Sequence, residues 1–117
     1  MKRSEFASGS QMTTRLYRVI RSIRKGVSVM KIPGHHEISA RYDLVNHSPD
    51  GFEFGYAGSG PTQLALAVLA DFLEDDEKAL KYHVDFRDNF IERATGHMFE
   101  IKVSHIKKFM KEIKRRQ

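Results

Sequence analysis

The sequence predicts an α+β domain: a four-stranded antiparallel meander packed against a buried central helix, with two further amphipathic helices outside. Three observations carry that prediction. Apolar and polar residues alternate before residue 57, as they do on half-buried strands. Beyond residue 61 the apolar residues recur at helical spacing. Between these halves lies Gly55-Tyr56-Ala57-Gly58-Ser59-Gly60-Pro61, a glycine-rich turn leading into a helix that opens with proline. At 117 residues the chain has mass for one core and none to spare for a second.

Taken in order, Leu16 to Ile20 and Val27 to Met30 read as strands around Arg24-Lys25-Gly26, where glycine supplies the positive φ of a hairpin turn. Pro33-Gly34 breaks the second strand. Ile38, Ala40, Tyr42 and Leu44 alternate with Ser39, Arg41 and Asp43, which predicts a third strand. Ser48-Pro49-Asp50-Gly51 is a turn signal, and Phe52, Phe54 and Tyr56 then face one side of a predicted fourth strand. Pro61 suits the first helical position. From Leu64 to Leu73 nearly every side is apolar, so this helix is expected at the centre of the domain. Asp75 or Asp76 caps a second helix reaching toward Ala94, with Leu80, Val84, Phe90 and Ile91 as its apolar stripe. Thr95-Gly96 ends it. Met98 to Val103 reads as a short strand or an extended lead-in, and Ser104 caps a last helix bearing Ile106, Phe109, Met110 and Ile113 on one face.

Composition bounds the function. Apolar residues are 40% and charged residues 30% of the chain, as in ordinary globular domains. With no cysteine, disulfides and thiolate metal sites are excluded. The apolar run Leu64 to Ala70 is too short to span a membrane, and no secretory signal is visible. A cytoplasmic address and no membrane partner are expected. Residues 1–11 lack periodicity and read as a disordered leader or vector-derived tail, leaving 12–117 as the domain.

Three groups of residues are candidates for function. The first is the glycine-rich loop with Tyr56, Gly58, Ser59, Gly60 and Gln63. It is neither a Walker loop nor a dinucleotide fingerprint, because its spacing differs from both. Its N–H groups at Thr62, Gln63 and Leu64 are expected to be free for a phosphate-bearing ligand. The other reading is a structural turn. The second group is Asn46, His47, Ser48 and Glu53, expected at the far end of the same hairpin; His47 and Glu53 form an acid/base pair there, or the group only satisfies the turn. The third is basic. Lys107, Lys108, Lys111, Lys114, Arg115 and Arg116 crowd the C-terminal helix beside a single acid, Glu112, in a chain of formal net charge +5. Such clusters neutralise nucleic-acid phosphates, dock an acidic surface of a second copy, or simply solubilise a helix. The six histidines lack metal-ligand spacing, so no metal and no cofactor are expected.

The run from Asp43 to Ala67, containing Asn46-His47-Ser48-Pro49-Asp50-Gly51-Phe52-Glu53 and Gly58-Ser59-Gly60-Pro61-Thr62-Gln63-Leu64, resembles the signature of a family of small uncharacterised bacterial and phage proteins. The likeness continues through Leu69-Ala70-Asp71, Ala79-Leu80 and Asp85-Phe86. Departures are Ala57 in place of glycine, Phe54 and Phe109 in place of tryptophan, and Lys102 in place of a capping threonine. The resemblance implies a shared fold and supplies no catalytic residues. Together these readings predict a non-enzymatic accessory or interaction module that binds nucleic acid or protein, with self-association as one form. A small-ligand protein or enzyme using the glycine-rich loop is the alternative.

Overall fold

A computed structural model describes residues 14–116; the expectation for residues 1–11 lies outside them. Strands β1 (Leu16–Ser22) and β2 (Gly26–Ile32) form the expected hairpin, paired from Leu16 opposite Ile32 to Ser22 opposite Gly26. Gly26 has φ 69°, the left-handed conformation a side chain resists. After the turn at Pro33-Gly34, β3 is only His36–Glu37.

Here the predicted strands need correction. Ile38 N–H still bonds to the Val29 carbonyl, at 3.0 Å, but the chain then leaves the sheet. Arg41 sits at φ 57°, and Leu44 N–H closes a turn onto the Arg41 carbonyl. Of the predicted alternation, Ile38 and Leu44 do pack against the core, but Tyr42 is 42% exposed and Val45, out of phase with it, packs there as well. The pattern marks a loop pressed on a helix. The segment expected as the fourth strand contributes a single bridge, Phe52 opposite Val27. Gly55, at φ 97°, turns away and bonds to the Ile91 carbonyl. The fourth strand is instead β4 (Met98–Lys102), antiparallel to β1 from Ile20 opposite Met98 to Leu16 opposite Lys102. The sheet is antiparallel with order β3-β2-β1-β4, so the four-stranded α+β architecture holds with different members.

Helix α1 (Ser59–Leu73) starts before Pro61, with Gly58 as an N-cap that has no side-chain cap bond. Every residue from Gly60 to Ala70 is buried, which makes it the central helix. Asp75 caps α2 (Asp76–Phe86) by accepting from Lys78 N–H at 3.1 Å. Its buried face is Ala79, Tyr82, His83 and Phe86; Val84, expected in the stripe, is 43% exposed. The helix passes into a π turn, Arg87–Ile91, rather than continuing to Ala94. A π turn carries an extra residue. That re-phases the chain so that Ile91 is buried and Phe90 packs on Phe86 with centroids 4.7 Å apart.

Helix α3 (Val103–Arg115) follows β4 without a loop. Lys102 occupies its N-cap and makes no side-chain cap bond, so Ser104 lies inside the first turn. One unpaired first-turn donor, Val103 N–H, bonds to the Arg15 carbonyl at 2.9 Å. Val103, Ile106, Phe109, Met110 and Ile113 are buried as one stripe. They meet Tyr17, Val19, Val29 and Ile101 of the sheet and the leucines of α1 in one core.

Candidate functional site

The geometry starts from Gln63. It is fully buried on α1, and its side chain makes four hydrogen bonds to the loop between β3 and α1. Oε1 accepts from His47 N–H at 2.7 Å and Ser48 N–H at 3.3 Å. Nε2 donates to the carbonyls of Ala40 at 2.6 Å and Val45 at 3.0 Å. These are the backbone groups a neighbouring strand would have paired. One amide side chain does that work and leaves the loop free of the sheet. With two donors and two acceptor sites engaged, Gln63 has no hydrogen-bond capacity left for a ligand.

Thr62 Oγ1 donates to the Gly58 carbonyl at 2.6 Å and accepts from Arg87 Nη1 at 3.0 Å. Thr62 N–H also bonds to the Gly58 carbonyl, at 3.0 Å, so the donor expected to be free is engaged within the helix. Next to this network, His47 Nε2 lies 3.0 Å from His83 Nε2. His83 Nδ1 faces the carbonyls of Leu80 at 2.8 Å and Ala79 at 3.2 Å, which can only accept. His83 Nδ1 therefore carries the proton, its Nε2 accepts, and His47 Nε2–H donates. Burial, then proximity to His83 and the Arg87 guanidinium, hold the His47 imidazole below its ordinary range. The expected His47–Glu53 pair does not form. Glu53 Oε1 instead accepts from Arg21 Nη2 at 2.8 Å.

The glycine-rich loop and the polar turn share one cleft of about 600 Å³. Ser48, Glu53, Tyr56, Ser59 and Gly60 line it together with Asp50 and Phe52. They were expected at opposite ends of a hairpin. They meet because residues 52–56 fold back instead of running straight. Gly60 owes its identity to this approach and not to a positive φ: a Cβ there would lie 2.7 Å from Glu53 Cβ and 3.1 Å from Glu53 N. A Cβ at Gly58 would strike the Tyr56 ring. Asn46 is exposed and outside the cleft lining.

A second cavity, about 440 Å³, was not anticipated from the sequence. Its Asp71 accepts from the Tyr17 hydroxyl at 2.6 Å and pairs with Lys31 Nζ at 3.1 Å. Burial first, and then Asp71, raise the Tyr17 hydroxyl above its usual range. The available signal was an aspartate closing an otherwise apolar helical run. Among the described residues no three His, Asp or Glu side chains are grouped to hold a metal ion.

The basic cluster is exposed throughout, with Lys107, Lys108, Lys111, Lys114 and Arg115 on α3 and Arg116 at its C-cap. Among the described residues none of the six forms an ion pair, whereas Arg18, Arg21, Lys25, Lys31, Arg41 and Arg87 each meet a carboxylate. Lys107, Lys111 and Lys114 join Lys78 around a groove of about 240 Å³ lined also by Phe72, Leu73 and Met110. Lys108 falls on the other flank, beside Glu112 and His105.

Sheet, buried central helix, polar cleft and unpaired basic helix define an α+β domain with two separate candidate surfaces. The chain belongs to a family of unknown function, DUF6166, which matches residues 17–112 and so takes in the four strands apart from Leu16, and α3 as far as Glu112. No curated protein and no solved structure matches the chain. No helix among the described residues is long and apolar enough to cross a membrane.

Proposed function

We propose that the protein is a non-enzymatic accessory module of the cytoplasm that contacts nucleic-acid phosphates through the exposed side of α3. The observation that carries the reading is the set of six cations on and beside that helix with no carboxylate partner among the described residues. Unpaired lysines take the place of the cations condensed along a nucleic acid, and release of those cations drives binding. The apolar side of α3 is occupied by the core, which leaves the basic side to face outward. The resemblance of residues 43–67 to small bacterial and phage proteins fits an accessory role of this kind.

The test is fluorescence anisotropy with labelled duplex DNA, single-stranded DNA and RNA across a salt series. Log affinity should fall linearly with log salt, and Lys107→Glu with Lys111→Glu and Lys114→Glu should flatten the slope by about one per lysine. No binding at low ionic strength removes the reading. The groove between Phe72, Leu73 and Met110 would then favour an acidic protein segment, including a second copy of the chain.

A further inference from the structure

The cleft at the start of α1 has a charge balance opposite to that of α3. Glu37, Asp50 and Glu53 line it, with Lys25 as the one lining cation among the described residues. Glu37 meets Lys25 at 3.6 Å, and Glu53 is held by Arg21 from outside the cleft. Asp50 has no counter-ion among the described residues. The helix N-terminus adds only about half a positive charge, so the balance stays negative. An inorganic phosphate or nucleotide phosphate is repelled by this lining.

A second observation is independent of charge. Ser48 lines the cleft and is only 8% exposed. Its N–H bonds to Gln63 and its carbonyl to Gly51 N–H, but its hydroxyl has no partner among the described residues. Buried hydroxyls normally have a hydrogen-bond partner, and one at a cleft wall without a protein partner can exchange solvent for a ligand group. Apolar and aromatic surface completes the lining. Val27, Ile38 and Phe52 are half-buried, and Tyr56 is 52% exposed. Carboxylate plus aromatic surface is the chemistry that holds an organic cation. The volume, about 600 Å³, is that of an ordinary small-molecule site.

We infer that this cleft binds a small organic cation, an ammonium group on an aliphatic stem, with Asp50 as its counter-ion and the Ser48 hydroxyl as a hydrogen-bond partner. The stem lies along Phe52 and Val27. The site is separate from α3 and does not depend on the nucleic-acid reading.

Calorimetric titration of the full chain at low salt tests the inference with cadaverine as free amine and acetyl-lysine methylamide as a peptide-borne one. Saturable binding of either supports the site, and the stronger of the two identifies the source of the ammonium. Asp50→Asn should weaken binding by about tenfold, the loss of one charge-assisted contact. The Ser48–Gly51 turn accepts asparagine as readily as aspartate, so this variant keeps its fold. Ser48→Ala should weaken binding several-fold without lowering the melting temperature, because the hydroxyl it removes has no partner among the described residues. Glu77→Gln, an exposed carboxylate outside the cleft, should leave amine binding unchanged. Absence of saturation with both amines overturns the inference. So does parental affinity in both cleft variants, or saturable binding of inorganic phosphate in their place.

Discussion

Replacing Gln63 with leucine keeps the side chain's approximate volume and removes all four hydrogen bonds to the 40–48 loop. His47 N–H, Ser48 N–H and the carbonyls of Ala40 and Val45 lose their partners together. Two groups that stay dry cost about 1–3 kcal/mol each, and two that reach water cost about 0.5–1.5 kcal/mol each. The loss is then at least about 3 kcal/mol by the same scale. Peeling of the loop caps it, since that exposes Ile38, Leu44 and Val45, which are only half-buried. Gln63→Leu should therefore destabilise by about 3–5 kcal/mol, or roughly 10–25 °C in melting temperature. Urea unfolding gives the free energy, and amide exchange at His47 and Ser48 reports the loop directly. Gln63→Glu refines the test. Its carboxylate keeps the acceptor for both N–H groups but faces two carbonyls, so it should take up a proton more readily folded than unfolded. Stability of that variant should recover as pH falls and decline as pH rises through the shifted range. If both variants lose less than about 1 kcal/mol, water already satisfies the loop and the clip explains nothing.

Two further outcomes follow from packing and charge. Gly60→Ala should destabilise by about 1–3 kcal/mol, because the new Cβ meets the Glu53 segment; an unchanged melting curve would mean that this segment yields freely. His47 is held neutral in the fold, so the unfolded chain takes up a proton first as pH falls below about 6.5. Stability should be present above that pH and drop as the pH falls toward the depressed folded value, and His47→Gln should flatten this slope in urea midpoints measured from neutral to mildly acidic pH.

The helices were legible because their signals are local. Proline at 61, the aspartate cap at 75 and the stripe of Ile106, Phe109, Met110 and Ile113 each act within a turn or two. The first hairpin was legible for the same reason, through Gly26. The third and fourth strands were misplaced because alternation shows which residues touch the core, not what their backbones bond to. Ile38 and Leu44 touch the core from a loop that Gln63 holds, as does Val45 from outside the alternation, whereas Tyr42 within it is exposed. The cleft was half visible. Its residues were named from the sequence, but their meeting depends on Gly55 turning toward Ile91, a contact no local pattern encodes. The His47–His83 pair was missed since it joins a loop to a helix 36 positions away.

The pairing of β1 with β4 has a consequence for assembly during synthesis. Leu16 to Ile20 find their partners only when Met98 to Lys102 arrive, after the loop and all of α1 and α2 have been made. Until then one edge of β1 is an open row of backbone donors and acceptors, a template for any passing extended chain. Contacts of such long separation form late and slowly. The strand carries its own protection in Arg18 and Arg21, charged side chains that discourage intermolecular pairing of an edge. In the finished molecule the same two arginines meet Glu100 and Glu53. Residues that guard the nascent edge thus become ion-paired once the sheet closes, so that one pair of side chains serves first against aggregation and afterwards as fasteners.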